Sequence, residues 1–430
     1  VTESRRVEPV DGPLDARVVP PGSKSLTNRA LVLASLAEGT STLLGALVAD
    51  DTEAMAGAMR QLGAEIVFDS DRCTVVGFGG RLRPGPLEID ARLSGTTARF
   101  VLPVLALGEG PYVLDGDQPL RDRPMGPSIE ALRRLGARVD DSNRPGHLPV
   151  VVSGGELAGD GVGVEGTTSS QFTSGLLLAG AAMPRGLSVD LLGPVVSRPY
   201  LDMTLAVLRD FGVDAGTDGD RRVWVRPSRL RGTEYRIEPD ASAASYFLAA
   251  AAICGGRVAV DGLGTSSLQG DARFAEVLDR MGAEVHQTAT STEVRGTGTL
   301  HGIDVDLTDM PDVAQTVAVV APFADGPTRV RGVEVIRGHE TDRIAAVVAE
   351  LTRCGIRADE HPDGFTVHPG TPTPARIETY RDHRMAMSFA LIGLRAPGIE
   401  ILDPGCVAKT FPDYFDHLER LRLTARGSGR

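Results

Sequence analysis

The sequence predicts a mixed α/β protein of two domains, each made of three copies of one unit. Three observations carry this prediction. A polar cluster followed by a small-residue apolar run recurs six times, at a period of roughly 72 residues. A second helix signal, ending at a glycine that leads into a strand, recurs in phase with the first. Short strand-like runs fill the intervals.

The six polar clusters begin at Gly22-Ser23-Lys24-Ser25, Ser94-Gly95-Thr96-Thr97 and Thr167-Thr168-Ser169-Ser170, then at Pro239-Asp240-Ala241-Ser242, Met310-Pro311-Asp312 and Arg381-Asp382-His383-Arg384. Each offers Ser, Thr or Asp as an N-cap for the apolar run behind it. The runs are expected to close at Gly39, Gly108, Gly186, Gly255, Gly326 and Gly398. Phe172–Ala181 is apolar nearly all round, which marks a buried helix.

The second element reads Leu62-Gly63-Ala64, Leu135-Gly136-Ala137, Phe211-Gly212-Val213, Met281-Gly282-Ala283 and Cys354-Gly355-Ile356, with a degraded sixth copy in the C-terminal tail. Strands are expected at Cys73–Val76, Val223–Val225 and Phe365–Val367. A boundary near Ile237–Pro239 leaves three units on each side.

Composition narrows the function. The chain has 430 residues, 42% apolar and 24% charged, as an ordinary soluble globular protein does. A net charge of -12 argues against nucleic-acid or anionic-membrane partners. No apolar run is long enough to span a bilayer, and the stretch from Val1 to Arg6 lacks the apolar core of a signal peptide. The cysteines Cys73, Cys254, Cys354 and Cys406 are far apart, which fits a reducing cytoplasm and no zinc site.

Of the 45 basic residues other than histidine, only Lys24 and Lys409 are lysine. A lysine retained in so arginine-rich a chain points to a place where a compact, rotatable charge is needed. Both stand in polar, motif-like contexts. Chance survival on the surface is the plain alternative.

A helix N-terminus presents free N–H groups and partial positive charge, and so binds phosphate or carboxylate. If the six buried helices aim their N-termini at one interdomain cleft, their clusters bring together Lys24, Arg29, Arg99, Ser169, Ser170, Asp312, His383 and Arg384. Such a cleft suits a polyanionic small molecule despite the acidic exterior.

Two familiar motifs fail. Gly22-Ser23-Lys24-Ser25 resembles the end of a P-loop, but Ser23 and Val18 stand where its glycines belong. Gly161-Val162-Gly163-Val164-Glu165-Gly166 matches Gly-x-Gly-x-x-Gly but follows a polar, Gly-rich stretch, so it reads as a turn. The run Arg337–Arg343 is either a solvated helix start or a chemical cluster. Asp382-His383-Arg384 reads equally as a cap with a salt bridge.

At these residues the chain resembles the 5-enolpyruvylshikimate-3-phosphate synthases. The matching stretches are Pro21–Arg29, Gly95–Arg99, Arg123-Pro124, Ser169–Gln171 and Ser197–Tyr200, followed by Pro311-Asp312, Glu340–Arg343, Asp382–Met387 and Lys409–Pro412. They run in order through nearly the whole chain. The resemblance implies the enolpyruvyl transferase fold: two domains of three βαβαββ units around buried helices, an inside-out α/β barrel. It places residues 20–238 in one domain, and residues 1–19 with 239–430 in the other.

The implied reaction moves the enolpyruvyl group of phosphoenolpyruvate to the 5-hydroxyl of shikimate 3-phosphate, in the cytoplasm, in a monomer, with no cofactor or metal. The resemblance makes Asp312 the base and Glu340 the proton donor, with Lys24, His383 and Lys409 also catalytic. It places shikimate 3-phosphate on Lys24, Ser25, Arg29, Ser169, Ser170, Gln171, Ser197, Tyr200, Asp312 and His339. Phosphoenolpyruvate falls to Lys24, Gly95, Thr96, Arg123, Gln171, Arg343, Arg384 and Lys409, and glyphosate is the family inhibitor. Three positions depart from the family pattern. His339 replaces a common lysine, and Leu93 and Val335 replace common asparagines.

Two rivals are weighed. The sister transferase acting on UDP-N-acetylglucosamine uses a loop cysteine, and Gly116–Arg123 has none. A non-catalytic phosphometabolite-binding protein would not need the paired groups Asp312 and Glu340.

Overall fold

The computed structural model describes residues 3–69, 72–154, 157–166 and 169–425. Val1 and Thr2 of the N-terminal stretch, and Thr167 and Thr168 of the third polar cluster, lie outside the described residues. The chain divides into two compact units. The central unit is Gly22–Glu238. The terminal unit joins Val1–Pro21 to Pro239–Arg430.

Among the described residues each unit holds three small sheets, and the five four-stranded ones share one strand order. In the central unit, Leu87–Asp90 pairs in parallel with Tyr112–Asp115, which pairs antiparallel with Val150–Val152, which pairs antiparallel with Val139–Asp140. The parallel pair is joined through the buried helix Gly95–Leu105, and the helix Gly126–Leu135 leads from Tyr112–Asp115 to Val139–Asp140. A parallel pair needs a crossover of that kind.

The strand Glu234–Arg236 supplies the parallel partner of Glu38–Leu44, so the end of the central unit completes its first sheet. In the terminal unit Leu14–Val18 does the same for Gly256–Asp261. The last sheet has three strands, Ser4–Val7 pairing antiparallel with Ile399–Leu402.

The buried helices of the central unit are Lys24–Leu36, Gly95–Leu105 and Ser170–Gly180. Those of the terminal unit are Ala241–Cys254, Ala314–Val320 and His383–Gly393. All fourteen residues of Ala241–Cys254 are buried, as their near-uniform apolar character requires. Small residues let these helices approach closely. A Cβ on Gly175 would stand 2.3 Å from the carbonyl oxygen of Arg99, so only glycine fits there.

Two sequence expectations need correction. Of the glycines expected to close the buried helices, only Gly255 stands directly at a helix end. The others lie beyond it, Gly39 already inside the strand Glu38–Leu44. These helices stop where the chain must enter the next strand, and the glycine serves that linker. The stretch expected to turn, Gly161–Glu165, is a strand paired in parallel with Leu187–Leu192. Its alternation buries Val162 and Val164. Because these glycines lie within a strand, they form no phosphate-binding strand-to-helix turn.

The outer helices end as the second signal indicates. Gly63 and Gly136 are left-handed C-caps, and Gly212, Gly282 and Gly355 also have positive φ.

Candidate active site

In the central unit, three side-chain contacts show how the buried helices align. Arg29, sixth in its helix, lies over Phe100, sixth in the next, at 5.1 Å. Its Nη2 donates to Ser174 Oγ, fifth in the third helix, at 3.3 Å. Arg99 Nη1 donates to Gln171 Oε1 at 2.8 Å. All five residues stand within the first six positions of their helices, so the N-terminal turns of the three helices gather at one end of the unit. Ser23, Ser94 and Ser169 cap them, accepting from the N–H groups of Leu26, Thr97 and Gln171.

At that end Lys24 opens its helix, with Nζ 3.3 Å from the buried Asp51 carboxylate. Gly95 and Thr96 open the next, and Arg123 lies against Gly95: a Cβ there would fall 2.7 Å from Arg123 Nη1. Ser170 and Gln171 open the third. Ser197 stands ahead of the Arg198–Asp210 helix with φ of 55°, a left-handed conformation that a serine adopts at a cost.

Arg29 occupies the interior beneath this surface. Its Nε donates to Thr204 Oγ1 at 2.8 Å, Nη1 to the Ser25 carbonyl at 2.9 Å, and Nη2 to the Tyr200 carbonyl at 3.1 Å. Burial lowers its pKa to about 10. Arg29 thereby ties Ser25 and Tyr200 together from below.

In the terminal unit Arg343 is the hub. Its guanidinium is almost wholly buried at the start of the Arg343–Arg353 helix, which Asp342 caps. Nη1 donates to Asp312 Oδ1 at 3.0 Å and Nη2 to Glu340 Oε2 at 2.8 Å. Nε and Nη2 both reach Asp382. Burial alone would lower the Arg343 pKa, but Asp382, Glu340 and Asp312 together raise it. The Nδ1 of His339 lies 3.1 Å from Nη1. A guanidinium offers no acceptor, so a hydrogen bond here requires Nδ1 to accept, and the same nitrogen lies 3.9 Å from Asp312 Oδ1.

The other basic groups join this cluster. Arg384 Nη2 donates to Asp312 Oδ2 at 2.9 Å, and Lys409 Nζ lies 3.8 Å from Glu340 Oε1. His383 is buried at the first position of its helix, next to Asp382, which caps that helix through the Arg384 N–H.

Thus one unit gathers Lys24, Ser25, Gly95, Thr96, Arg123, Ser169, Ser170, Gln171, Ser197 and Tyr200 around its helix starts. The other gathers Asp312, His339, Glu340, Arg343, His383, Arg384 and Lys409. Sequence reasoning missed the carboxylates that hold these groups. Asp51 pairs with Lys24. Asp382, read as a cap with a salt bridge, grips Arg343. Asp271 was not singled out, although it is buried, accepts a hydrogen bond from Ser242 and lies within the field of Asp312 and Arg384. Only the N-cap character of Asp382 was visible locally.

Mixed α/β units whose buried-helix starts carry lysine, arginine and paired carboxylates define a two-domain enzyme class suited to acid–base chemistry on small anions. Comparison with known proteins narrows this. The EPSP synthase (3-phosphoshikimate 1-carboxyvinyltransferase) family model matches residues 10–418. The 3-phosphoshikimate 1-carboxyvinyltransferase of Nostoc punctiforme is 45% identical over 406 residues, covering 94% of this chain and 95% of the relative. That of Serratia proteamaculans is 43% identical over 411 residues, covering 94% and 96%. The structure of EPSP synthase from Acinetobacter baumannii superposes with a TM-score of 0.81 at 28% identity, covering 97% of both chains. The chain belongs to the EPSP synthase family.

Proposed function

We propose that this chain transfers the enolpyruvyl group of phosphoenolpyruvate to the 5-hydroxyl of shikimate 3-phosphate, and that the polar clusters of both units carry the groups that do so. The proposal includes the finer architecture, three βαβαββ units per domain forming an inside-out α/β barrel. The strand order repeated in five of the six sheets supports it. The observation that carries the site assignment is Arg343, which holds Asp312, Glu340 and His339 at one point.

In this reading Asp312 accepts the proton of the attacking hydroxyl as oxygen adds to C2. Arg343 and Arg384 orient its two oxygens. Glu340 delivers a proton to C3. The carboxylate left behind is already beside Arg343 and Lys409, which favours the transfer. Removal of that C3 proton then expels phosphate, with Lys24 and His383 assisting.

Arg123, Arg343, Arg384 and Lys409 hold the phosphate and carboxylate of phosphoenolpyruvate, with Lys24, Gln171 and the Gly95–Thr96 backbone. Ser25 and Arg29 serve the carboxylate of shikimate 3-phosphate. Ser169, Ser170, Gln171, Ser197 and His339 serve its phosphate and hydroxyls, and Tyr200 lies against the ring. The protein works as a monomer in the cytoplasm. No helix among the described residues is long and apolar enough to cross a membrane.

Phosphate release from phosphoenolpyruvate, measured with shikimate 3-phosphate and separately with UDP-N-acetylglucosamine, tests the assignment. Turnover is expected with the first acceptor alone. Turnover with the second, or with neither, overturns it.

A further inference from the structure

Two consecutive residues just before Asp382 hold a backbone conformation that side chains disfavour. Tyr380 has φ of 55° and Arg381 φ of 57°. Left-handed geometry at a non-glycine residue persists only where its surroundings impose it. The imposing group is Glu350, whose side chain is fully buried near the end of the Arg343–Arg353 helix.

The Glu350 carboxylate is shared among three partners. Tyr380 Oη donates to Oε1 at 2.8 Å, and the Glu378 N–H donates to Oε2 at 3.0 Å. Arg353 Nε lies 2.9 Å from Oε2 and compensates the charge. Glu378 Oε1 in turn accepts from the Tyr380 N–H at 3.4 Å, and the Asp382 N–H closes the bend onto the Thr379 carbonyl at 2.8 Å. Burial, then the bond to Glu350, pushes the Tyr380 hydroxyl up to about 12, so it remains a donor at neutral pH.

One helix therefore grips the 378–384 segment twice. Arg343, at its start, holds Asp382. Glu350, seven residues on and so about 10 Å along the axis, holds Glu378 and Tyr380. Between the two grips lies the strained bend, and immediately after it come Asp382, His383 and Arg384.

We propose that Glu350 is a positioning residue: by fixing Glu378 and Tyr380 it maintains the left-handed Tyr380–Arg381 bend, and the bend aims the Asp382-His383-Arg384 cluster. The kinetic consequence rests on the assignment of Arg384 to phosphoenolpyruvate made above.

The test uses the full chain and the variants Tyr380→Phe, Glu350→Gln, Arg381→Gly, Tyr380→Phe/Arg381→Gly and Arg384→Ala. Tyr380→Phe removes one hydrogen bond and keeps the ring. Glu350→Gln keeps only one oxygen acceptor. Each is expected to raise KM for phosphoenolpyruvate about tenfold while kcat falls less than about threefold. The exposed Arg381 replaced by glycine adopts the bend without strain. The double variant should therefore return to within about twofold of Arg381→Gly alone. A part that only stabilises the fold would lower the melting temperature and leave KM unchanged. Unchanged KM in Tyr380→Phe or Glu350→Gln, or no rescue by Arg381→Gly, overturns the proposal. Arg384→Ala separates the two readings, since an unchanged KM there refutes the binding assignment and not the bend. In that case the melting temperatures of the Tyr380→Phe and Arg381→Gly cycle decide. A smaller loss in the glycine background upholds the bend, and additive losses overturn it.

Discussion

Asp382 grips Arg343 at two points, with Oδ2 accepting from Nε at 2.7 Å and Oδ1 from Nη2 at 3.2 Å. The Asp382 side chain is fully buried, so this carboxylate depends on the guanidinium fork for its counter-charge. The same fork orders Asp312, Glu340 and His339. Arg343→Lys supplies charge without the fork. It should cost about 3 kcal/mol of stability, within the range for breaking a buried pair. It should also lower kcat/KM more than about a hundredfold. Chemical denaturation and steady-state kinetics check this. A variant of wild-type stability would mean that the fork is dispensable.

The two lysines face carboxylates at ordinary contact distance, Lys24 toward Asp51 and Lys409 toward Glu340. Arginine is bulkier and does not give up a proton at working pH. Lys24→Arg and Lys409→Arg should each lower kcat more than about tenfold while the melting curve is retained. Near wild-type turnover in both would show that their retention in so arginine-rich a chain has no catalytic meaning.

Gly95 leaves room for Arg123, and a methyl group would meet Arg123 Nη1 at 2.7 Å. The clashing atom ends a flexible side chain, so Gly95→Ala should fold and displace the guanidinium. KM for phosphoenolpyruvate should rise a few-fold. The longer glyphosate should lose much more affinity, read as its inhibition constant. Equal losses would refute the expectation.

Asp271 should leave a mark on stability. Burial raises its pKa from 3.8 to about 7, the charge of Asp312 adds to the rise, and Arg384 and the Ser242 hydrogen bond oppose it. Between these values the folded protein keeps a proton that the unfolded chain has released. The stability this group contributes is complete below the unfolded pKa and is lost as pH rises through the folded one. Between about pH 4 and 7 the wild-type denaturant midpoint should therefore change with a more negative slope than that of a variant lacking this carboxyl. Asp271→Asn is that variant, and an identical slope in both proteins would remove Asp271 as a source.

His339 replaces the lysine common in the family. A hydrogen bond from Arg343 requires Nδ1 to accept, so a neutral ring offering Nε2–H is the form that bond suits. Calorimetric affinities for shikimate 3-phosphate should then run parallel in wild type and His339→Lys above about pH 6.5. A steeper fall with rising pH in the wild type would identify protonated His339 as the bound form.

Much of this protein was written locally. N-caps such as Ser23, Ser94 and Asp240 precede the buried helices, and Gly63 and Gly136 end the outer ones. These signals act within one helical turn, so a linear reading finds them. The all-apolar runs announced burial, and the family motifs announced the chemistry.

What the sequence determined by itself was the mixed α/β class, the family and the polar helix starts. Only the tertiary structure decided that Gly161–Glu165 is a strand, because a glycine-rich run becomes one when Leu187–Leu192 is there to pair with it. It also decided that Arg29 lies in the interior, and that Asp51, Asp271, Glu350 and Asp382 hold the charged groups in place. Lys24 and Asp51 are 27 residues apart, and Arg343 and Asp382 are 39 apart. Spacing of that kind carries no local periodicity. Only chain topology brings such groups together, and burial then makes each unpaired charge costly enough to enforce the pairing.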